Sequence, residues 1–273
     1  MGEWSLLLFT LLMQASIGAY LWVTIIKWRQ QDRSFGVTNA VIVVLSAVAV
    51  VISLLHLGTP TGALRSLLNI GSSWLSREIL FSGGFFGLAA ITLLLERSKM
   101  DASSLKIVRI VTTIVGLIAV FSMSMLYMSS IMPAWNSYQT MIDFYATMIT
   151  LGGILTIVTA REQVEGYVAK MSVVMAIAIF VHAAVYILFL AGLGAGTEAA
   201  QSSIAILSQT FAIMAMVRWL LVLGGVGAVI ASQYMKAHQN TYIYTALAML
   251  VIGLFIGRYI FFAIAVAKGI GAA

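Results

Sequence analysis

Apolar runs of about twenty residues recur from one end of this chain to the other, separated by short polar stretches. A helix crossing the hydrocarbon core needs about 20 residues at 1.5 Å rise each. Eight runs meet that length, at roughly 3–26, 40–57, 78–95, 107–132, 140–160, 171–193, 207–235 and 242–267. The pattern predicts an all-α polytopic membrane protein, a bundle of about eight transmembrane helices. Connections this short make neighbouring helices antiparallel and leave no room for a soluble domain. Residues 1–273 are expected to form a single integral membrane domain. The pattern shows no clear internal repeat, and a four-plus-four arrangement stays open.

Composition sharpens the picture. Of 273 residues, 62% are hydrophobic and 9% charged, which excludes an ordinary soluble fold. There is no cysteine, so a thiolate-bound iron–sulfur cluster, covalent c-type haem or a disulfide within this chain is excluded. Its three histidines fall at three depths, which speaks against b-type haem, and no metal site is expected. The net charge of +6 sits at helix ends, as membrane topology places it, and suggests no nucleic acid.

The odd-numbered connections carry Lys27, Arg29 and Arg33; Arg97, Lys99 and Lys106; Arg161 and Lys170; then Lys236. The even ones hold Arg65 and Arg77 in the first, and no Lys or Arg in "PAWNSYQT" or "GAGTEAAQSS". The odd connections are therefore expected in the cytoplasm, with both termini outside. In the first segment the cations follow the apolar run, which reads as a retained helix rather than a cleaved signal peptide.

Charges inside spanning segments cost roughly 2.5–3.5 kcal/mol each at the centre, so each needs a reason. The stretch "SLLHLGTPTGALRSLLNIGSSWLSREILFSGG" concentrates them in the first outer loop. The second helix is expected to end outward at His56, stopped by Gly58, Thr59 and Pro60, and the third to begin with Ser76, Arg77 and Glu78. Arg258 is placed about 24 Å up the last helix, in its outer third, and Arg218 about 16 Å down the seventh. Tyr127 and Trp135 fall at the outer end of the fourth helix and just beyond it. Polar and aromatic groups from five helices thus converge on the outer half, and nothing comparable on the inner half.

Each residue also has a local explanation. Glu78 would stabilise the dipole from a first helical turn. Tyr127 and Trp135 suit an outer aromatic belt. Arg258 can snorkel, and Arg218 can neutralise a carboxylate between helices. His56 alone suits a helix end making one local hydrogen bond. His182 reads as a core histidine near mid-membrane, outside the cluster, and His238 as a loop residue. The glycines of "FSGGFFG" and "LGGVGAV" read as packing material. The convergence carries the functional signal.

An imidazole and a carboxyl with arginines nearby suit a quinone headgroup. Oxidising a quinol removes two electrons and two protons. A neutral imidazole can accept a hydrogen bond or a proton from one hydroxyl, and the other oxygen needs a donor or proton relay that Glu78, Arg77 or Arg258 could supply. His56 and Glu78 are the candidate catalytic pair. Arg77, Arg258, Tyr127, Trp135 and Arg218 complete the candidate quinol-binding set. A small secondary transporter for an anionic solute is the alternative, although such sites lie near the midplane and this cluster does not.

The segment "LLHLGTPTGALRSLLNIGSSWLSREI" resembles the signature of the membrane-anchor subunit of dimethyl sulfoxide reductase, H-L-G-[ST]-P followed by a serine-rich stretch and S-x-E-I. "YMSSIMPAWNSYQT" is similar to that family's Y-x5-P-x-W segment, and "IGRYIFF" to its last-helix I-G-R. The resemblance covers nearly the whole chain. It implies a subunit of the bacterial inner (cytoplasmic) membrane that oxidises menaquinol without haem. It also implies two partners, a four-cluster ferredoxin-like iron–sulfur subunit and a molybdopterin catalytic subunit, with the iron–sulfur subunit docked outside over His56. The quinol role passes to His56 through H-L-G-T-P and to Glu78 through S-R-E-I, and less directly to Arg258 and Trp135. One position departs: many relatives carry an arginine two residues before the tyrosine of Y-x5-P-x-W, where this chain has Met125. Any role of that arginine is lost here or taken by another cation such as Arg77.

Overall fold

A bilayer interior offers no water to backbone N–H and C=O groups, and helices satisfy them within each segment. The computed structural model describes residues 2–30, 32–56, 67–98 and 101–269, and these contain nine long helices and no strand. The helices are α1 (Gly2–Arg29), α2 (Gly36–His56), α3 (Trp74–Leu95), α4 (Ala102–Met128), α5 (Tyr138–Thr159), α6 (Val168–Gly194), α7 (Glu198–Thr210), α8 (Ala212–Ala231) and α9 (Gln239–Ala263). All but α7 are long and apolar enough to span a membrane, eight in all among the described residues. Gly58, Thr59, Pro60, Arg65 and Lys99 lie outside the described residues, as does the side chain of His56.

Three boundaries differ from expectation. "GAGTEAAQSS" is not a loop: most of it belongs to α7, and the seventh span begins only at Ala212, after a break at Phe211 (φ −114°, ψ 9°). Helix α7 buries Ala199, Ala200, Ser203 and Leu207, while the run is too short and polar to register as a spanning segment. Helix α3 starts at Trp74, because the Ser73 hydroxyl caps it by accepting the N–H of Ser76 at 3.3 Å. Glu78 therefore lies beyond the first turn, and dipole stabilisation does not account for it. At α4, Asp101 caps through the N–H of Ser104 at 2.9 Å, a bond that holds its carboxyl below the usual carboxylate range.

Long-range hydrogen bonds show which helix ends meet. Thr38 pairs with Thr159, Arg33 donates to the Gln163 carbonyl, and Arg161 donates to Gln239 at 2.7 Å. These gather the cation-rich connections at one end. At the other end Trp4 stacks with Tyr259, Trp135 Nε1 donates to the Phe261 carbonyl at 2.7 Å, and the Lys268 N–H donates to the Ile131 carbonyl. Apolar side chains such as Val44, Ile107, Phe180, Leu188 and Leu220 stay exposed, as lipid-facing positions do.

The core forms around α1 and α5, the most enclosed spans. They cross at Gly18 and Gly152, where a Cβ on either would run into the other helix's backbone. The glycines singled out by sequence divide. Gly224 and Gly225 admit Met249 and Leu250, but Gly83 and Gly87 face open space. Replacing Gly152 by Val should therefore cost about 3 kcal/mol or more, read as a lower thermal midpoint in detergent. Gly87→Ala should leave the midpoint level or slightly raised; equal losses at both positions would remove the crossing from the account.

Candidate functional site

Asp143 lies five residues into α5, about 8 Å from its end, and Arg258 lies equally far from the end of α9. Both are buried and meet: Arg258 Nη2 is 3.3 Å from Asp143 Oδ2. Arg218 of α8 approaches from the other side, with Nη2 donating to Asp143 Oδ1 at 3.3 Å. His182 of α6 completes the group, its Nε2 lying 3.3 Å from Asp143 Oδ1 and 3.1 Å from Arg218 Nη2. From α1, the Gln14 amide oxygen accepts a second bond from Arg258 at 3.0 Å. Two guanidiniums against one carboxylate leave an excess positive charge. Aromatic faces spread it, with Arg258 3.8 Å from the Phe144 ring centroid and Arg218 4.8 Å from that of Trp219.

Towards the same end of the bundle, the Tyr127 ring is boxed by Trp135, Phe144, Phe261 and Phe262, with centroids 5.2–5.7 Å away. Tyr127 lies within electrostatic reach of both Glu78 and Arg258. Glu78 is only 4% exposed, and its Oε2 has no hydrogen-bond partner among the described residues. The hydroxyls of Tyr127 and of Ser82, one turn along α3 from Glu78, are likewise without partners among the described residues, as are Arg258 Nε and Nη1. Buried polar atoms without partners cost free energy and call for an explanation. Here they comprise a carboxyl oxygen, two hydroxyls and two guanidinium nitrogens, groups that can accept and donate protons and hydrogen bonds.

The structure brings together Arg258, Tyr127 and Trp135, and it brings Arg218 to Arg258 through Asp143. Arg77 stands apart: its guanidinium donates to the carbonyls of Ile70 and Gly71 at 2.8 and 2.7 Å and lies over the Trp74 ring. Arg258 does not snorkel, since 1% of it is exposed. His182 is a member of the buried group rather than a separate core histidine. Trp135 points its indole N–H at α9 rather than serving a belt.

The cation-rich end also corrects an expectation, for a buried ionic group collects there too. Glu96 takes Arg109 at 2.5 Å, Lys27 at 3.5 Å and the amide of Asn39 at 2.7 Å. Asp143 and Gln14 are missing from the sequence-based set. The signal for Asp143 was present, because a lone carboxylate in "YQTMIDFYATMIT" is as costly as any intramembrane arginine. No group of three His, Asp or Glu side chains among the described residues could hold a metal ion.

The profile of the DMSO reductase anchor subunit (DmsC) family matches residues 1–264. The chain belongs to this family. The anchor subunit is 26% identical to the C subunit of the anaerobic dimethyl sulfoxide reductase of Escherichia coli, over 99% of this sequence and 98% of that one. The corresponding C subunit of Haemophilus influenzae is 33% identical, over 56% of each. The anaerobic dimethyl sulfoxide reductase subunit YnfH of Escherichia coli is 26% identical over 99% and 98%. No solved structure matches.

Within this anchor subunit, Asp143→Leu strands two buried arginines and should cost about 3–5 kcal/mol, seen as reduced membrane accumulation and a lower thermal midpoint. Adding Arg218→Leu should recover part of that loss, because a single guanidinium still has Gln14. A double variant as unstable as the sum of the single ones would show that the carboxylate does not hold the pair together.

Proposed function

We propose that this protein is the membrane anchor of a dimethyl sulfoxide reductase complex in the bacterial inner membrane, and that it oxidises menaquinol at the end of the bundle carrying Glu78. Menaquinol gives up two protons and two electrons to become menaquinone. The sequence has no cysteine, so the electrons pass to a docked iron–sulfur subunit and from there to a molybdopterin subunit. The whole chain works as one membrane domain.

The observation that carries this reading is the buried Glu78 carboxyl, whose Oε2 has no hydrogen-bond partner among the described residues, four residues into the helix that follows H-L-G-T-P. Glu78 accepts a proton from one quinol hydroxyl. His56, at the end of α2, takes the other. The unpaired nitrogens of Arg258 donate to the developing quinone oxygen, and the aromatic side chains exclude water around the ring. A transporter would need its arginines open to an anionic solute, whereas both are buried and their charge faces Asp143.

In the assembled complex, Glu78→Gln should slow turnover with a menaquinol analogue about 100-fold or more, and His56→Ala should abolish it. Both variants should reduce dimethyl sulfoxide normally when a soluble reduced dye supplies the electrons. Quinol turnover that survives either change removes that residue from the site. Loss with both donors would mean that the variant fails in assembly instead.

A further inference from the structure

At the cation-rich end, a cavity of about 220 Å³ lies between the end of α1, the start of α4 and the 32–34 segment. Among the described residues its walls include Lys27, Arg33, Lys106 and Arg109 against Asp32 and Glu96, an excess of two positive charges. Glu96 pairs with Lys27 and Arg109. The other two cations have no carboxylate partner among the described residues: Lys106 Nζ rests 3.7 Å from the Trp28 ring centroid, and Arg33 donates to the Gln163 carbonyl.

The surroundings name the anion. Trp28, itself lining the cavity, is more than half exposed. Next along α4 to the lining residues Lys106 and Ile110, Ile107, Val111 and Ile114 form an exposed apolar stripe, and Ile25 of α1 is also exposed. A soluble anion has no use for that stripe, but the acyl tail of a lipid covers it. Basic pockets between spanning helices at a membrane face recognise phosphate-bearing headgroups, and an indole suits the same interface.

We infer that this cavity is a binding site for an anionic phospholipid of the leaflet at the cation-rich end, with the phosphate between Lys106 and Arg33 and an acyl tail along Ile107, Val111 and Ile114. The site lies at the opposite end of the bundle from Glu78 and is independent of the quinol reading. It gives the connection between α1 and α2 and the start of α4 a shared anionic ligand.

The test uses the full-length protein in detergent, with short-tailed phosphatidylglycerol, phosphatidylcholine and inorganic phosphate titrated separately and bound ligand counted by native mass spectrometry. Phosphatidylglycerol should bind most tightly. Lys106→Gln and Arg33→Gln should each weaken it about fivefold, since a basic residue near the surface contributes about that factor. Asp32→Asn, at an exposed position, should strengthen it by a similar factor, and the thermal midpoint of each variant without lipid checks folding. Equal binding of phosphatidylcholine overturns the inference, as does phosphate alone binding as tightly as phosphatidylglycerol. Indifference to Lys106→Gln and Asp32→Asn in folded protein overturns it as well.

Discussion

The Asp143 carboxylate is the constraint on which the second half of this bundle is built. Two guanidiniums cannot share a low-dielectric interior unless an anion lies between them, and Asp143 meets Arg218 with one oxygen and Arg258 with the other. Because the three side chains come from α5, α8 and α9, with His182 from α6 and Gln14 from α1, satisfying one carboxylate sets the relative height of five helices. The same bonds orient Arg258. With Nη2 committed to Asp143 and Gln14, its Nε and Nη1 remain without partners among the described residues, beside the aromatic box.

Glu96 does the matching work for the first half. It follows α3 directly and receives Arg109 of α4, Asn39 of α2 and Lys27 of α1. Each hub is one carboxylate with two cations, and α1 contributes to both, through Gln14 at one and Lys27 at the other. That double membership explains why α1 must also pass close to α5, and why Gly18 and Gly152 take the place of larger residues at the crossing. Between the hubs Ile17 and Phe85 close on Gly116, an apolar layer separating the Glu78 end from the hydrogen-bonded Tyr20–Thr92 and Thr24–Thr113 pairs.

The spans were legible because length and lack of charge are sufficient signals for a membrane helix, and the cation bias marked which ends belong together. Helix α7 was not, since a 13-residue helix with one modest apolar face has neither signal. Arg258, Tyr127 and Trp135 could be placed at one end because each follows or precedes a clear break in the pattern. Their organiser could not. Helices α1 and α5 are apolar on nearly every side, so no periodic stripe tells which neighbours they face, and the partners of Asp143 come from helices distant in sequence. A pattern local in sequence cannot show a contact created by packing.

Packing also bears on the departure at Met125. Arg77 does not supply the missing cation, because its guanidinium is spent on the carbonyls of Ile70 and Gly71 and on the face of Trp74. Those bonds fold the 70–74 segment back on the start of α3, next to the Ser73 cap, and the early start carries Glu78 about 6 Å into the bundle. Arg77 thus ties the 70–74 segment to the start of α3. The cation within electrostatic reach of Tyr127 is Arg258, delivered from α9 and held by Asp143.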